Sequence, residues 1–125
     1  TYLPGLESTA DPKYPKLFPG IKEWEGLFRA RYNMEPEFLD VTCYTSAMML
    51  FLAIDRAQST DKEKVAAELK ALGVQTMLGS SDFVESAGGA KNQAFSKTLV
   101  FQRQDDGYAV LYPDELATGK VLPRN

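Results

Sequence analysis

The chain has 125 residues, a formal net charge of −3, 44% hydrophobic and 25% charged residues, which suffices for one domain with a modest core. It has no histidine and a single cysteine, Cys43, so the commonest general base and metal ligand are missing and a disulfide within the chain is excluded. The acidic balance argues against a nucleic-acid partner, whose phosphates demand clustered Lys and Arg.

Residues 1–20 hold Pro4, Pro12, Pro15 and Pro19, a density that predicts an extended, loop-rich lead-in, with Tyr2 and Leu3 as the tail of a strand. No basic segment leads into an apolar one, so no signal peptide is visible. The opening reads as a mid-protein loop, and the chain is expected to be a piece of a longer one.

From Gly20 to Tyr32 the pattern becomes helical. Ile21, Trp24, Leu27, Phe28 and Tyr32 share a face, with charged residues around the rest. Gly26 weakens this helix by roughly 1 kcal/mol relative to Ala, and Pro36 ends it by disfavouring helical geometry at Glu35.

Residues 38–58 form the longest apolar run. Val41, Tyr44, Met48 and Phe51 recur at helical steps, with Ala47, Leu50 and Ile54 on the flanks. So few positions are polar that the helix is expected to be buried on most sides. Thr and Ser interrupt the run, which argues against a membrane span of about 20 apolar residues. Thr60 and Glu63 then read as a capping box for a third helix, striped by Val65, Ala66, Leu69 and Leu72 and ended by Gly73.

Beyond Gly73 the period shortens. Residues 76–79 and 81–84 read as short extended pieces, 86–91 as a flexible turn, and 94–102 as a strand. Asp105, Asp106 and Gly107 read as a hairpin turn and 108–112 as the return strand, followed by a polar tail.

No catalytic constellation emerges. Cys43 lies among apolar neighbours without a His and reads as a buried, inert thiol. SAGGAK lacks the spacing of a phosphate loop. Glu35 and Glu37 read as solvated loop charges, Met48 and Met49 as core, and Trp24 as the anchor of its helix face.

The order of segments carries more information than any one of them. WEGLFRARYNMEP, VTCYTSAMMLFLAIDRAQSTDKEKVAAELKALG, MLGSSDF and TLVFQRQDDGYAVLYPDELATGK follow one another. This series resembles the C-terminal part of type I periplasmic solute-binding proteins, the leucine/isoleucine/valine-binding family that feeds ABC importers. The resemblance rests on Phe28, Tyr32, Pro36, Tyr44, Ala57, Ser59, Asp61, Val65, Leu69, Leu78, Gly79, Phe83, Tyr112, Pro113, Ala117, Thr118 and Lys120. The chain departs from the family after Phe83, where Val84, Glu85 and Ser86 stand in place of an acidic turn.

The resemblance implies an α/β fold: the C-terminal portion of a two-lobed, three-layer α/β/α type I periplasmic binding protein. Residues 1–101 would complete the first lobe, with a hinge strand, three helices and short strands. Residues 102–125 would cross back to the second lobe and form the tail. The implied function is capture of a small solute, such as a branched-chain or aromatic amino acid or a related carboxylate or amide, and delivery to an ABC permease. The implied setting is the periplasm, or the extracellular side, membrane-anchored, in a Gram-positive source. Neither catalysis, a metal nor a cofactor is implied. The alternatives are a ligand-sensing receptor domain of the same fold and a free-standing α+β interaction domain.

Family position points to Phe38, Leu39 and Asp40 as ligand-binding residues. Phe38 and Leu39 equally suit a hydrophobic staple at the helix start, and Asp40 equally suits a helix cap. Hinge candidates are Tyr2, Leu3, Phe101 and Gln102. A helix apolar nearly all round, followed by strands with bare edges, implies a further partner: a second polypeptide carrying the upstream part of the fold, or a swapped homodimer.

Overall fold

A computed structural model describes residues 8–85, 88–94, 99–104 and 107–123. In chain order it contains α1 (Ile21–Tyr32), α2 (Phe38–Ala57), α3 (Lys62–Lys70), β1 (Gln75–Thr76), β2 (Gly79–Ser80), β3 (Val100–Gln104), β4 (Gly107–Tyr112) and a 3-10 turn at Asp114–Leu116. The described residues fall into two compact units, 8–94 and 99–123.

The helical unit begins with a lead-in that has no regular element yet is tightly built. Asp11 is buried, and its Oδ1 accepts from the amides of Lys13 at 2.9 Å and Tyr14 at 2.7 Å. Its Oδ2 accepts from the Gln75 amide at 2.9 Å, which ties the lead-in to β1. The Asp11 amide donates to the Phe18 carbonyl and closes a loop that delivers the buried Phe18 ring to the core.

Gly20 precedes α1, and Ser8 Oγ accepts from the first helical amide, Ile21, at 3.1 Å. A Cβ on Gly20 would sit 2.8 Å from the Ser8 carbonyl oxygen, which is backbone and cannot swing away. Gly20→Ala is therefore expected to lower stability by about 1–3 kcal/mol, read as a fall in the urea midpoint at unchanged m-value. An unchanged midpoint would show that Ser8 does not pack here.

Two core clusters follow. One joins Phe18 to Met49 and Leu52 of α2 and to Leu72 and Val74, with Tyr14, Leu17, Met48, Leu69 and Phe83 around it. The other joins Ile21 and Trp24 of α1 to Val41 of α2 and Met77, edged by Phe28, Tyr44 and Leu78. α3 packs along α2, and Arg56 donates to the carbonyls of Ala71 and Leu72, both at 3.3 Å, fixing the exit from α3.

α2 corrects two expectations. Its buried stripe is Val41, Thr45, Met49, Leu52 and Ala53 rather than one through Phe51, which is 58% exposed. Nor is it covered on most sides. Leu39, Cys43 and Leu50 are exposed, with half-buried Ala47 between them and half-buried Ile54 a turn beyond. At steps of three and four residues these five positions form a second apolar stripe on the opposite side. Cys43 is thus an exposed thiol, not a buried one. Its neighbours in sequence are apolar, but its direction on the helix points away from the core. By length and composition α2 also meets the minimum for a membrane span, at 20 residues and mean hydropathy 1.4, although its Val41–Leu52 side packs as a core helix would.

The third helix is capped by Asp61, not by a Thr60–Glu63 box: Asp61 Oδ1 accepts from the Lys64 amide at 3.1 Å. The competing Ser59 hydroxyl accepts from the Asp61 amide at 3.1 Å, which moves the start of the helix one residue on. Gly73 then adopts a positive φ of 55°. β1 and β2 make a two-residue antiparallel ladder, Gln75 with Ser80 and Thr76 with Gly79, so the extended piece expected at 76–79 is interrupted by a turn at Met77–Leu78. Buried Ser81 accepts through Oγ from the Val74 amide at 3.0 Å, and Val84 bridges to Gln93.

In the second unit, β3 and β4 pair antiparallel, with Phe101 opposite Val110 and Gln102 opposite Ala109. The register shifts between Val100 and Phe101, the mark of a bulge. β3 begins at Val100, later than the strand expected from residue 94, and Ala94 lies in a bend. Tyr2, Leu3, part of the expected 86–91 turn and Asp105–Asp106 lie outside the described residues. The tail is not merely polar: Thr118 and Gly119 donate their amides to the Val110 carbonyl at 2.9 and 3.3 Å.

Candidate functional site

The expected ligand residues Phe38, Leu39 and Asp40 form the first turn of α2. Pro36 and the extended Glu37 cap lead into it, because the residue before a proline avoids helical geometry. Asp40 folds back, its Oδ2 accepting from the Glu37 amide at 2.7 Å. Of the two roles left open for Asp40, capping is the one the geometry satisfies. The Thr42 hydroxyl donates to the Phe38 carbonyl at 2.8 Å, completing the turn. Leu39 is 68% exposed and Phe38 46%, so Leu39 is not buried against the helix as a staple would be.

A charged clamp stands beside this turn. Arg29 of α1 donates through Nε to both Glu35 oxygens, at 2.7 and 2.8 Å, and through Nη2 to Glu25 Oε2 at 3.3 Å. The hydrogen bond from Arg29 holds the Glu35 carboxyl below its usual range, and the same contact raises Arg29. Glu35 is therefore both paired and, with its side chain 74% exposed, a solvated loop charge as expected. The i,i+4 spacing of Glu25 and Arg29 was visible in the sequence. The reach from Arg29 to Glu35 was not, because it depends on Asn33 turning the chain through a left-handed conformation at φ 50°. Glu25 itself is buried, and its Oε1, like Thr45 Oγ1, has no hydrogen-bond partner among the described residues.

An aromatic ladder backs the clamp. Trp24 lies 5.2 Å from Phe28 and 5.5 Å from Tyr44, and Phe28 lies 4.8 Å from Tyr32. The Tyr44 hydroxyl donates to the Leu17 carbonyl at 3.2 Å, and burial pushes its pKa up. Trp24 is the anchor of its helix face, as expected, since it is buried within a core cluster.

Phe101 and Gln102 lie in β3, in the second unit. That unit has an open groove lined by Leu111, Asp114, Ala117, Gly119, Lys120 and Val121, which includes none of the expected site residues. Among the described residues no three His, Cys, Asp or Glu side chains converge as metal ligands would.

The structure thus places Phe38, Leu39 and Asp40 in the first turn of α2, with Glu35, paired to Arg29 of α1, on the connection that leads into it. Chemically, that rim offers an apolar pair for contact, with carboxylates already engaged by Arg29 and a backbone amide. No protein family, curated protein or solved structure matches this chain.

Proposed function

We propose that the chain is the C-terminal part of a two-lobed extracytoplasmic solute-binding protein that captures a small solute and delivers it to an ABC permease. The observation that carries this reading is the ordered, exposed Phe38–Leu39 pair at the start of α2. A helix start fixed by Asp40 presents an apolar pair on a regular helical turn. That pre-organisation favours binding of an aliphatic or aromatic side chain. The segment order and the two compact units agree with a protein whose lobes come from alternating stretches of chain.

Titration calorimetry of the full chain with its upstream lobe, using L-leucine and L-phenylalanine as probes, tests the reading. Leu39→Asp is expected to weaken binding at least about tenfold, which is 1.4 kcal/mol, while leaving the urea midpoint nearly unchanged because Leu39 is mostly exposed. Asp40→Ala is expected to lower stability by about 1 kcal/mol through loss of the cap, with a smaller effect on affinity. Equal affinity in wild type and Leu39→Asp would remove this turn from the site. Absence of heat with either probe in the wild type would count against amino-acid capture.

A further inference from the structure

We propose that the carboxy-terminal tail is a two-ended strap, fixed at Thr118–Gly119 and releasably latched at 120–122 onto the bend of the β3–β4 hairpin. The two ends are built differently. At the fixed end the contacts are backbone bonds and close packing. Thr118 and Gly119 donate to the Val110 carbonyl, the Val110 amide donates to Thr118 Oγ1 at 2.9 Å, and a Cβ on Gly119 would lie 2.8 Å from the Ala109 Cβ.

At the other end the bonds come from side-chain amides. Gln102 Nε2 donates to the Leu122 carbonyl at 2.7 Å, while the Leu122 amide donates to Gln102 Oε1 at 2.9 Å. Gln104 Nε2 donates to the Lys120 carbonyl at 2.9 Å and to Gln102 Oε1 at 3.2 Å. The Gln102 side chain thereby offers Leu122 the donor and acceptor that a neighbouring strand would offer. Val121 and Leu122 are 72% and 49% exposed, so apolar burial does little to hold them down. Exposed hydrogen bonds without apolar burial sit at the low-stability end of a fold and open locally.

The latched residue is not arbitrary. Gln102 follows directly on the register shift between Val100 and Phe101, where a bulge bends and twists a strand. A tail bonded to Gln102 and Gln104 restrains that bend when latched and frees it when released. Gln102 and Gln104 are positioning residues in this device. The strap stands independently of the solute-binding reading; only its bearing on lobe closure, through Phe101 and Gln102 as hinge, rests on that reading.

Amide hydrogen exchange on the full chain is the test, since it needs no ligand. Gln102→Ala removes both bonds to Leu122 and is expected to speed exchange of the Leu122 amide roughly tenfold, the change in opening for about one lost net hydrogen bond. Thr118 and Gly119 are expected to keep their wild-type rates. Gln102→Glu keeps the acceptor for the Leu122 amide but loses the donor to its carbonyl, so its Leu122 rate is expected between wild type and Gln102→Ala. Unchanged Leu122 exchange in Gln102→Ala overturns the latch. Exchange at Thr118 and Gly119 rising in step with Leu122 overturns the two-ended strap, because the tail would then be opening as one piece. The outcome stands whether or not amino acids bind, so failure of the strap and failure of the solute-binding reading remain distinct.

Discussion

Replacing Asp11 by alanine is expected to destabilise the helical unit by about 3 kcal/mol. The substitution strips acceptors from the amides of Lys13, Tyr14 and Gln75 at once, and hydrogen bonds to a charged acceptor are each worth about 1.5–3 kcal/mol before the amides find water. Asp11 is 4% exposed, so the vacated site is poorly placed to rehydrate. The same carboxylate predicts a pH dependence. Burial alone would raise its pKa, but the amides of Gln75, Tyr14 and Lys13, with the Lys13 charge, together outweigh burial and hold it below the ordinary value. A depressed folded-state pKa means that the unfolded chain binds the proton more tightly. The stabilisation is therefore complete above the unfolded carboxyl pKa of about 3.9 and is lost as the pH falls from there through the lower folded value. Urea midpoints of wild type and Asp11→Asn between pH 2 and 6 give the check. The gap between them is expected to be widest at pH 6 and to close toward pH 2. A constant gap would show that the carboxylate is not the origin of the stability.

The helices were legible because each one marks its extent in local residues. Gly20 and Pro36 bound α1, and the apolar run of α2 ends near Gln58. What could not be read was direction. A run that is apolar at nearly every position has no unique stripe, so periodicity alone could not choose between the Val41–Leu52 side that is buried and the Leu39–Ile54 side that is not. Cys43 and Phe51 were misplaced for that one reason. The Asp61 cap was missed because three neighbouring residues, Ser59, Thr60 and Asp61, can all cap, and only the geometry decides among them. Asp11 before Pro12 signalled only a local turn onto Lys13 and Tyr14; its tie to Gln75 could not be read, because that partner lies 64 residues away. At the candidate site, Asp40 was legible as a possible cap, whereas the clamp of Arg29 on Glu35 required the turn at Asn33.

The outward stripe of α2 leads to the second large effect: residues 1–125 produced alone are expected to self-associate. Leu39, Cys43 and Leu50 are exposed at helical spacing, with Ala47 between them and Ile54 a turn beyond. Leu27, Tyr32 and Met34 are each more than half exposed as well. Fully burying one large apolar side chain contributes about 1.5–3 kcal/mol. Covering Leu50 and Phe51, each roughly half exposed, would then contribute about 2 kcal/mol, or about thirtyfold in an association constant. A soluble monomer rarely leaves a contiguous stripe of this kind open. In the proposed fold the upstream part of the protein covers it from Cys43 to Ile54, leaving Leu39 to the solute, and in its absence another copy is the available cover. Light scattering behind size-exclusion chromatography is expected to give a mass above that of one chain, rising with concentration. Leu50→Arg places a charge in the middle of the stripe. It is expected to return the isolated chain to a monomer without lowering its urea midpoint, because Leu50 contributes little to the core on the buried side. In the protein with its upstream lobe the same substitution is expected to cost about 3 kcal/mol or more, since the charge would be sealed beneath the covering layer. A wild-type chain that is monomeric at every concentration and unfolds cooperatively would overturn the covering layer and favour the free-standing interaction domain instead.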